Sequence, residues 1–172
     1  MTVPIVAIDT NSINMLRQDR YLNQLEEWHH AGLIEIKRSE VLGEELATNA
    51  GVRGEQRREK AQRYKEGRGT RAFTLRRSTL RGGDTLRGPS ADQWIDPIRE
   101  VLHPGRDFDA LSERDQRDIA HLATCKLHGW DYFVTLDKHI FSHADELLYR
   151  LNIRVLNPAA AIREIEPIVG LK

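Results

Sequence analysis

Only one cysteine, Cys125, occurs in 172 residues, so no internal disulfide can form, and four-ligand Cys/His zinc spacings are missing as well. A reducing, cytoplasmic setting is the natural expectation, with Cys125 as a small apolar helix residue. Long apolar runs are also absent, none approaching the roughly 18 residues of a membrane span. The start, Met1-Thr2-Val3-Pro4-Ile5, has neither the basic nor the apolar stretch of a signal peptide. Secretion and membrane insertion are not expected. The chain further lacks an excess of either charge, with 26 Lys+Arg against 26 Asp+Glu, which at first sight excludes a nucleic-acid binder.

That last absence is a cancellation. Between Arg53 and Arg87 stand twelve basic residues against only Glu55, Glu59, Glu66 and Asp84, so the rest of the chain carries a matching negative excess. At 40% hydrophobic and 30% charged residues, the chain suits one soluble domain that buries roughly 70% of its unfolded surface. Residues 1–172 read as that single unit. Residues 53–90 read as a basic insertion or mobile arm, where glycines accumulate, apolar residues thin out and only Gln56 to Lys65 has a helical pattern. No internal repeat is visible.

Val3 to Ile8 predicts a strand buried on both faces, stopped at Asp9. Helical patterns follow through Leu16, from Tyr21 to His30 and from Glu40 to Asn49, with Leu33-Ile34-Glu35-Ile36 a second strand between the last two. Ala91 to Leu102 predicts a helix ended by His103-Pro104-Gly105. Ser112 is an N-cap for a helix that runs to Gly129 with Ile119, Leu122, Ala123 and Leu127 facing inward. Asp131 to Leu136 predicts a third strand, His143 to Leu151 a helix, Ile153 to Leu156 a fourth strand and Pro158 to Ile165 a closing helix. Strands alternating with helices imply an α/β sandwich around a mainly parallel sheet.

In such a sheet, ligands bind outside the carboxyl ends of the strands. Asp9 after the first strand and Asp137 after the third would then emerge on one rim, where two acids repel and call for a hard divalent cation. In the helix after Ser112, the spacing of Asp115, Asp118, Ile119 and Leu122 sets Asp118 at the start of a buried face. Helix-dipole stabilisation is the structural alternative for Asp115. Glu45 shares a face with Val41 and Leu42, whereas Glu44 lines up with Glu40, so Glu45 is the inward acid.

Ile8-Asp9-Thr10-Asn11 after a first strand resembles the opening of a PIN domain, the metal-dependent ribonuclease fold. Ser39-Glu40-Val41-Leu42-Gly43-Glu44-Glu45-Leu46 is similar to that family's second acidic motif. Asp118-Ile119-Ala120-His121-Leu122-Ala123-Thr124, then Gly129 and Tyr132-Phe133-Val134-Thr135-Leu136-Asp137, resemble its third and fourth. The resemblance covers about Val3 to Glu45 and Ser112 to Leu156. It implies a three-layer α/β/α sandwich and a catalytic metal site of Asp9, Glu45, Asp118 and Asp137, supported by Asn11 and Thr135; Asp115, on the helical stripe of Asp118, is a further supporting candidate. One or two Mg²⁺ or Mn²⁺ ions would serve in-line hydrolysis of RNA by an endoribonuclease, leaving a 5′-phosphate and a 3′-hydroxyl. At Ile140-Phe141 many relatives carry another acid, so a second ion is expected less than the first.

Arg57, Arg58, Lys60, Arg63, Lys65, Arg76 and Arg77 are expected to track RNA phosphates, with Tyr64 and Phe73 as candidates for stacking on bases. A solvated insertion or a docking surface for an acidic protein explains the same charges. Besides RNA, the partners considered are an antitoxin or other protein and a second copy of the chain. Many short PIN domains are toxins, a reading weakened here by the long middle. His29, His30, His121, His139 and His143 read as surface or core residues, with Lys138 and His139 near enough to Asp137 to meet phosphate. Haloacid-dehalogenase-like phosphatases also place an aspartate after a first strand, but normally another Asp stands two residues later, where this chain has Asn11. A catalytically inactive PIN-like module that binds RNA or protein is the non-enzymatic alternative.

Overall fold

The computed structural model describes residues 3–9, 12, 18–39, 64–67 and 91–170. Glu45 and Asn11 lie outside these, as do Phe73 and the basic residues Arg57, Arg58, Lys60, Arg63, Arg76 and Arg77. The strands are β1 (Ile5–Ile8), β2 (Glu35–Ser39), β3 (Lys65–Gly67), β4 (Tyr132–Val134) and β5 (Val155–Leu156). They form one sheet in the order β3-β2-β1-β4-β5, with every pairing parallel. The helices are α1 (Arg20–His30), α2 (Asp92–Leu102), α3 (Glu113–His128), α4 (Lys138–Ser142), α5 (Ala144–Leu151) and α6 (Pro158–Val169), with a 3₁₀ turn at Phe108–Ala110.

Alternation along the strands divides the core. Val6, Ile8, Ile36, Tyr132 and Val134 pack with Leu22, Leu25 and Trp28 of α1 and Ala161, Ile162 and Ile165 of α6. Ala7, Phe133 and Val155 point the other way, onto Ile95 and Ile98 of α2, Ile119 and Leu122 of α3 and Leu147 of α5. Side chains one residue apart thus serve opposite cores, and the architecture is the expected three-layer α/β/α sandwich. Each fully buried Leu, Ile or Phe contributes about 1.5–3 kcal/mol, so strands of two to five residues are held from both sides.

Ser112 caps α3, accepting the Asp115 N–H at 3.2 Å. Gly129 ends it at φ 60°, a left-handed conformation that favours glycine. Burial pushes the Cys125 thiol up to about 12, in keeping with a small apolar residue.

Several expectations need correction. The second strand begins at Glu35 and continues through polar residues to Ser39. Glu35 and Lys37, two apart and so on one face, pair at 2.7 Å, which hides a strand inside a charged stretch. Tyr64, expected as a base-stacking residue on an outlying arm, is 2% exposed in the core, and its hydroxyl donates to Glu26 Oε1 at 3.0 Å. It leads into β3, which extends the sheet beside β2; Arg38 Nε donates to the Tyr64 carbonyl at 3.2 Å. Residues 64–67 therefore belong to the sandwich, and Lys65 lies in a strand instead of ending a helix. A short helix not anticipated, α4, starts directly after Asp137, before the expected helix that here begins at Ala144.

Candidate active site

Parallel pairing sets Ile8 beside Val134, so the chain leaves β1 and β4 at the same rim. Asp9 follows Ile8, and Thr135 follows Val134. Asp9 is 3% exposed, and its two oxygens have different partners: Oδ1 accepts the Ser12 N–H at 2.6 Å, and Oδ2 accepts the Thr135 hydroxyl at 2.5 Å. Thr135 Oγ1 in turn accepts the Asp137 N–H at 2.9 Å. One hydroxyl thereby links the residues that follow two strands.

Asp137 is the N-cap of α4. Its Oδ1 accepts the N–H groups of His139 at 2.7 Å and Ile140 at 3.3 Å, while Oδ2 faces Arg114, whose Nη2 donates to it. Burial works to raise the Asp137 pKa, but these N–H groups and the guanidinium outweigh it and hold the carboxyl below the usual range. The same ion pair raises Arg114, helped by the charge of Asp118.

Asp118 enters from the second turn of α3. Burial pushes its carboxyl up to about 7, with the charges of Asp137 and Asp9 adding to the rise and His121 and Arg114 opposing it. The structure thus brings Asp9, Asp118 and Asp137 within electrostatic reach of one another. Desolvated like charges at a rim leave a deficit of positive charge that a cation would relieve.

The donor set is all oxygen, which suits Mg²⁺ or Mn²⁺. Among the described residues, no three or more His, Cys, Asp or Glu groups stand ready to hold a metal ion. Among the described residues, the Arg114 guanidinium pairs with Asp137 as a stand-in cation. In chemistry, therefore, the residues fit a hard divalent ion, although their present contacts are internal.

The remaining candidates divide. Asp115 and Ser112 bond reciprocally, with Ser112 Oγ donating to Asp115 Oδ2 at 2.7 Å. Asp115 also lies 3.8 Å from the buried Nε2 of His103, which has no hydrogen-bond partner among the described residues. His103 meets the ring of His139 at 4.9 Å, and His139 meets His143 at the same distance. Burial above all lowers the His103 pKa, against the pull of Asp115. His121, one turn after Asp118, is buried with its Nδ1 2.5 Å from Ser39 Oγ. Sequence reasoning missed Ser12, Arg114, Ser39 and His103. Ser12 alone carried a local signal, standing three residues after Asp9 where a capping carboxylate finds an N–H. A cavity of about 270 Å³ lined by Trp130, Asp131, Tyr132 and Arg154 opens at the amino-terminal end of β4, away from the carboxylates.

Removing the Thr135 hydroxyl tests the bridge. Thr135→Val should cost about 1–3 kcal/mol in urea unfolding, because a buried carboxylate oxygen and a buried N–H each lose a partner. Thr135→Ser should recover most of it. A valine variant as stable as the parent would show that the bridge contributes nothing.

In comparison with known proteins, no family model matches the chain, and no curated protein does. Among solved structures, the crystal structure of VapBC2 from Rickettsia felis bound to a DNA fragment from their promoter is similar at 16% identity and a TM-score of 0.49, covering 89% of this chain and 98% of that one.

Proposed function

We propose that this protein is a divalent-metal-dependent endoribonuclease that hydrolyses RNA phosphodiester bonds at the rim formed by Asp9, Asp118 and Asp137. The observation that carries the reading is Asp118, whose carboxyl is pushed up to about 7 by burial and by two neighbouring carboxylates. Structural acids are usually placed where charge is comfortable. A group held so far from its ordinary range, on the rim where Asp9 and Asp137 follow adjacent parallel strands, is a functional-site candidate with a physical rationale.

The residues divide the work. Asp9, Asp118 and Asp137 would hold Mg²⁺ or Mn²⁺, with Glu45 as the fourth oxygen donor suggested by the motif resemblance. Thr135 fixes the Asp9 carboxylate and the backbone entering α4, and the His139 and Ile140 N–H groups aim Asp137 with Oδ2 toward the rim. When bound, the ion supplies an acidified water and neutralises charge on the phosphate. The basic stretch around Arg57, Arg58, Lys60, Arg63, Arg76 and Arg77 would provide salt-sensitive affinity for the RNA backbone.

The direct test incubates the 172-residue chain with labelled single-stranded RNA in Mn²⁺, in Mg²⁺ and with chelator. Cleavage that needs the metal and stops with chelator is the expected result. RNA binding without metal-dependent turnover would favour a binding module on the same fold.

A further inference from the structure

We infer that Arg114 is a displaceable counter-cation, occupying the Asp137 oxygen that a divalent ion needs and setting how tightly that ion binds. This rests on the metal-site reading above, but its evidence is separate. Each Asp137 oxygen is committed differently. Oδ1 takes two backbone N–H groups of α4, which uses both of its lone-pair positions, so an incoming cation must use Oδ2. That is the atom on which the Arg114 guanidinium sits.

The two partners are anchored very unequally. The Asp137 side chain is 5% exposed and held by the helix it caps, whereas that of Arg114 is 68% exposed, reaching over the rim from the first turn of α3. An ion pair with one partner in solvent is screened on that side, and a long side chain that already samples water can swing away. A guanidinium and a divalent cation on one carboxylate oxygen repel each other, so occupancy by one opposes the other. The field of Arg114 extends to Asp118 as well, so its withdrawal would free more than one ligand.

Calorimetric titration of the 172-residue chain with Mn²⁺ alone, without RNA, tests this. Arg114→Ala and the more isosteric Arg114→Gln should bind Mn²⁺ about tenfold more tightly than the parent, equivalent to about 1.4 kcal/mol. Arg117→Ala controls for loss of charge alone. It removes a cation of the same helix that pairs with Glu113 at 3.2 Å, and should change affinity less than twofold. Circular dichroism confirms that each variant is folded. If the parent binds Mn²⁺ and both Arg114 variants bind equally or more weakly, or if Arg117→Ala tightens binding as much, the inference fails and the metal site stands. If neither parent nor folded variants bind Mn²⁺ at millimolar concentration, the metal-site reading fails and takes this one with it.

Discussion

Asp9→Asn and Asp137→Asn should each leave a folded protein while lowering Mn²⁺-dependent RNA cleavage by roughly 10³-fold or more, about 4 kcal/mol of transition-state stabilisation. Both changes keep the shape of the side chain and remove its charge. In Asp9→Asn the new amide retains a carbonyl for the Ser12 N–H, although its NH₂ group meets the Thr135 hydroxyl where a carboxylate oxygen accepted before. One imperfect buried hydrogen bond costs about 1–2 kcal/mol, a fraction of a typical domain's stability of about 5–15 kcal/mol. Asp137→Asn keeps the carbonyl that caps α4 and loses the pairing with Arg114, whose side chain is largely in solvent. Gel assays of single-stranded RNA cleavage, with thermal melts on the same preparations, separate loss of chemistry from loss of fold. Chelator-insensitive activity of parental strength in either variant would refute a role for these carboxylates in holding metal.

What could be read from the chain in advance was local. Apolar runs ended by an acid located β1 and the neighbourhood of β4, and with them Asp9 and Asp137. Ser112 and Gly129 bounded α3 because caps act within a few residues of the helix they end. The two faces of the sheet follow from alternation over four residues, Val6 and Ile8 against Ala7. The rest depended on contacts between distant residues. Arg114 meets Asp137 across 23 positions and Thr135 meets Asp9 across 126, and no periodicity encodes either. Tyr64 looked like part of a basic arm because its neighbours are charged, yet a sheet edge and Glu26 were waiting for it. His103 gave no warning either, since its surroundings come from α3 and α4. Asp118 lay between these cases: helical spacing placed it at the start of a buried face, but only the fold shows how far burial, with Asp137 and Asp9 adding to it, makes its charge uncomfortable.

That discomfort has a thermodynamic consequence. The contribution of Asp118 to the stability of the metal-free protein should fall as pH rises from about 4 to about 7, and Asp118→Asn should remove that fall. In the unfolded chain Asp118 ionises near the ordinary 3.8, whereas in the folded protein it does so at about 7. A group whose folded pKa lies above its unfolded value favours the folded state fully below the lower value. The contribution fades between the two, because the unfolded chain releases its proton first. At 1.36 kcal/mol per pH unit, the ceiling is of the order of 4 kcal/mol, and screening on the partly exposed side of the carboxyl lowers it to about 2–3 kcal/mol. Asp137 acts in the opposite sense. Its pKa is lowered, so its contribution is present above about 4 and is lost as pH falls further. The two groups therefore act in separate windows; among the described residues with a resolved shift, Asp118 and, toward its upper end, His103 act in the interval between 4 and 7. The lowered His103 pKa makes stability rise with pH there, so Asp118→Asn is compared with the parent at each pH to cancel it. Urea unfolding in chelator should find Asp118→Asn more stable than the parent at pH 8 and similar at pH 4. Adding Mn²⁺ at pH 8 should return stability to the parent, about 2.7 kcal/mol at a hundredfold excess over Kd, and much less to the variant. An Asp118→Asn protein less stable than the parent at pH 8 would mean that the carboxylate is a structural anchor, and the charge deficit on which the metal-site proposal rests would be gone.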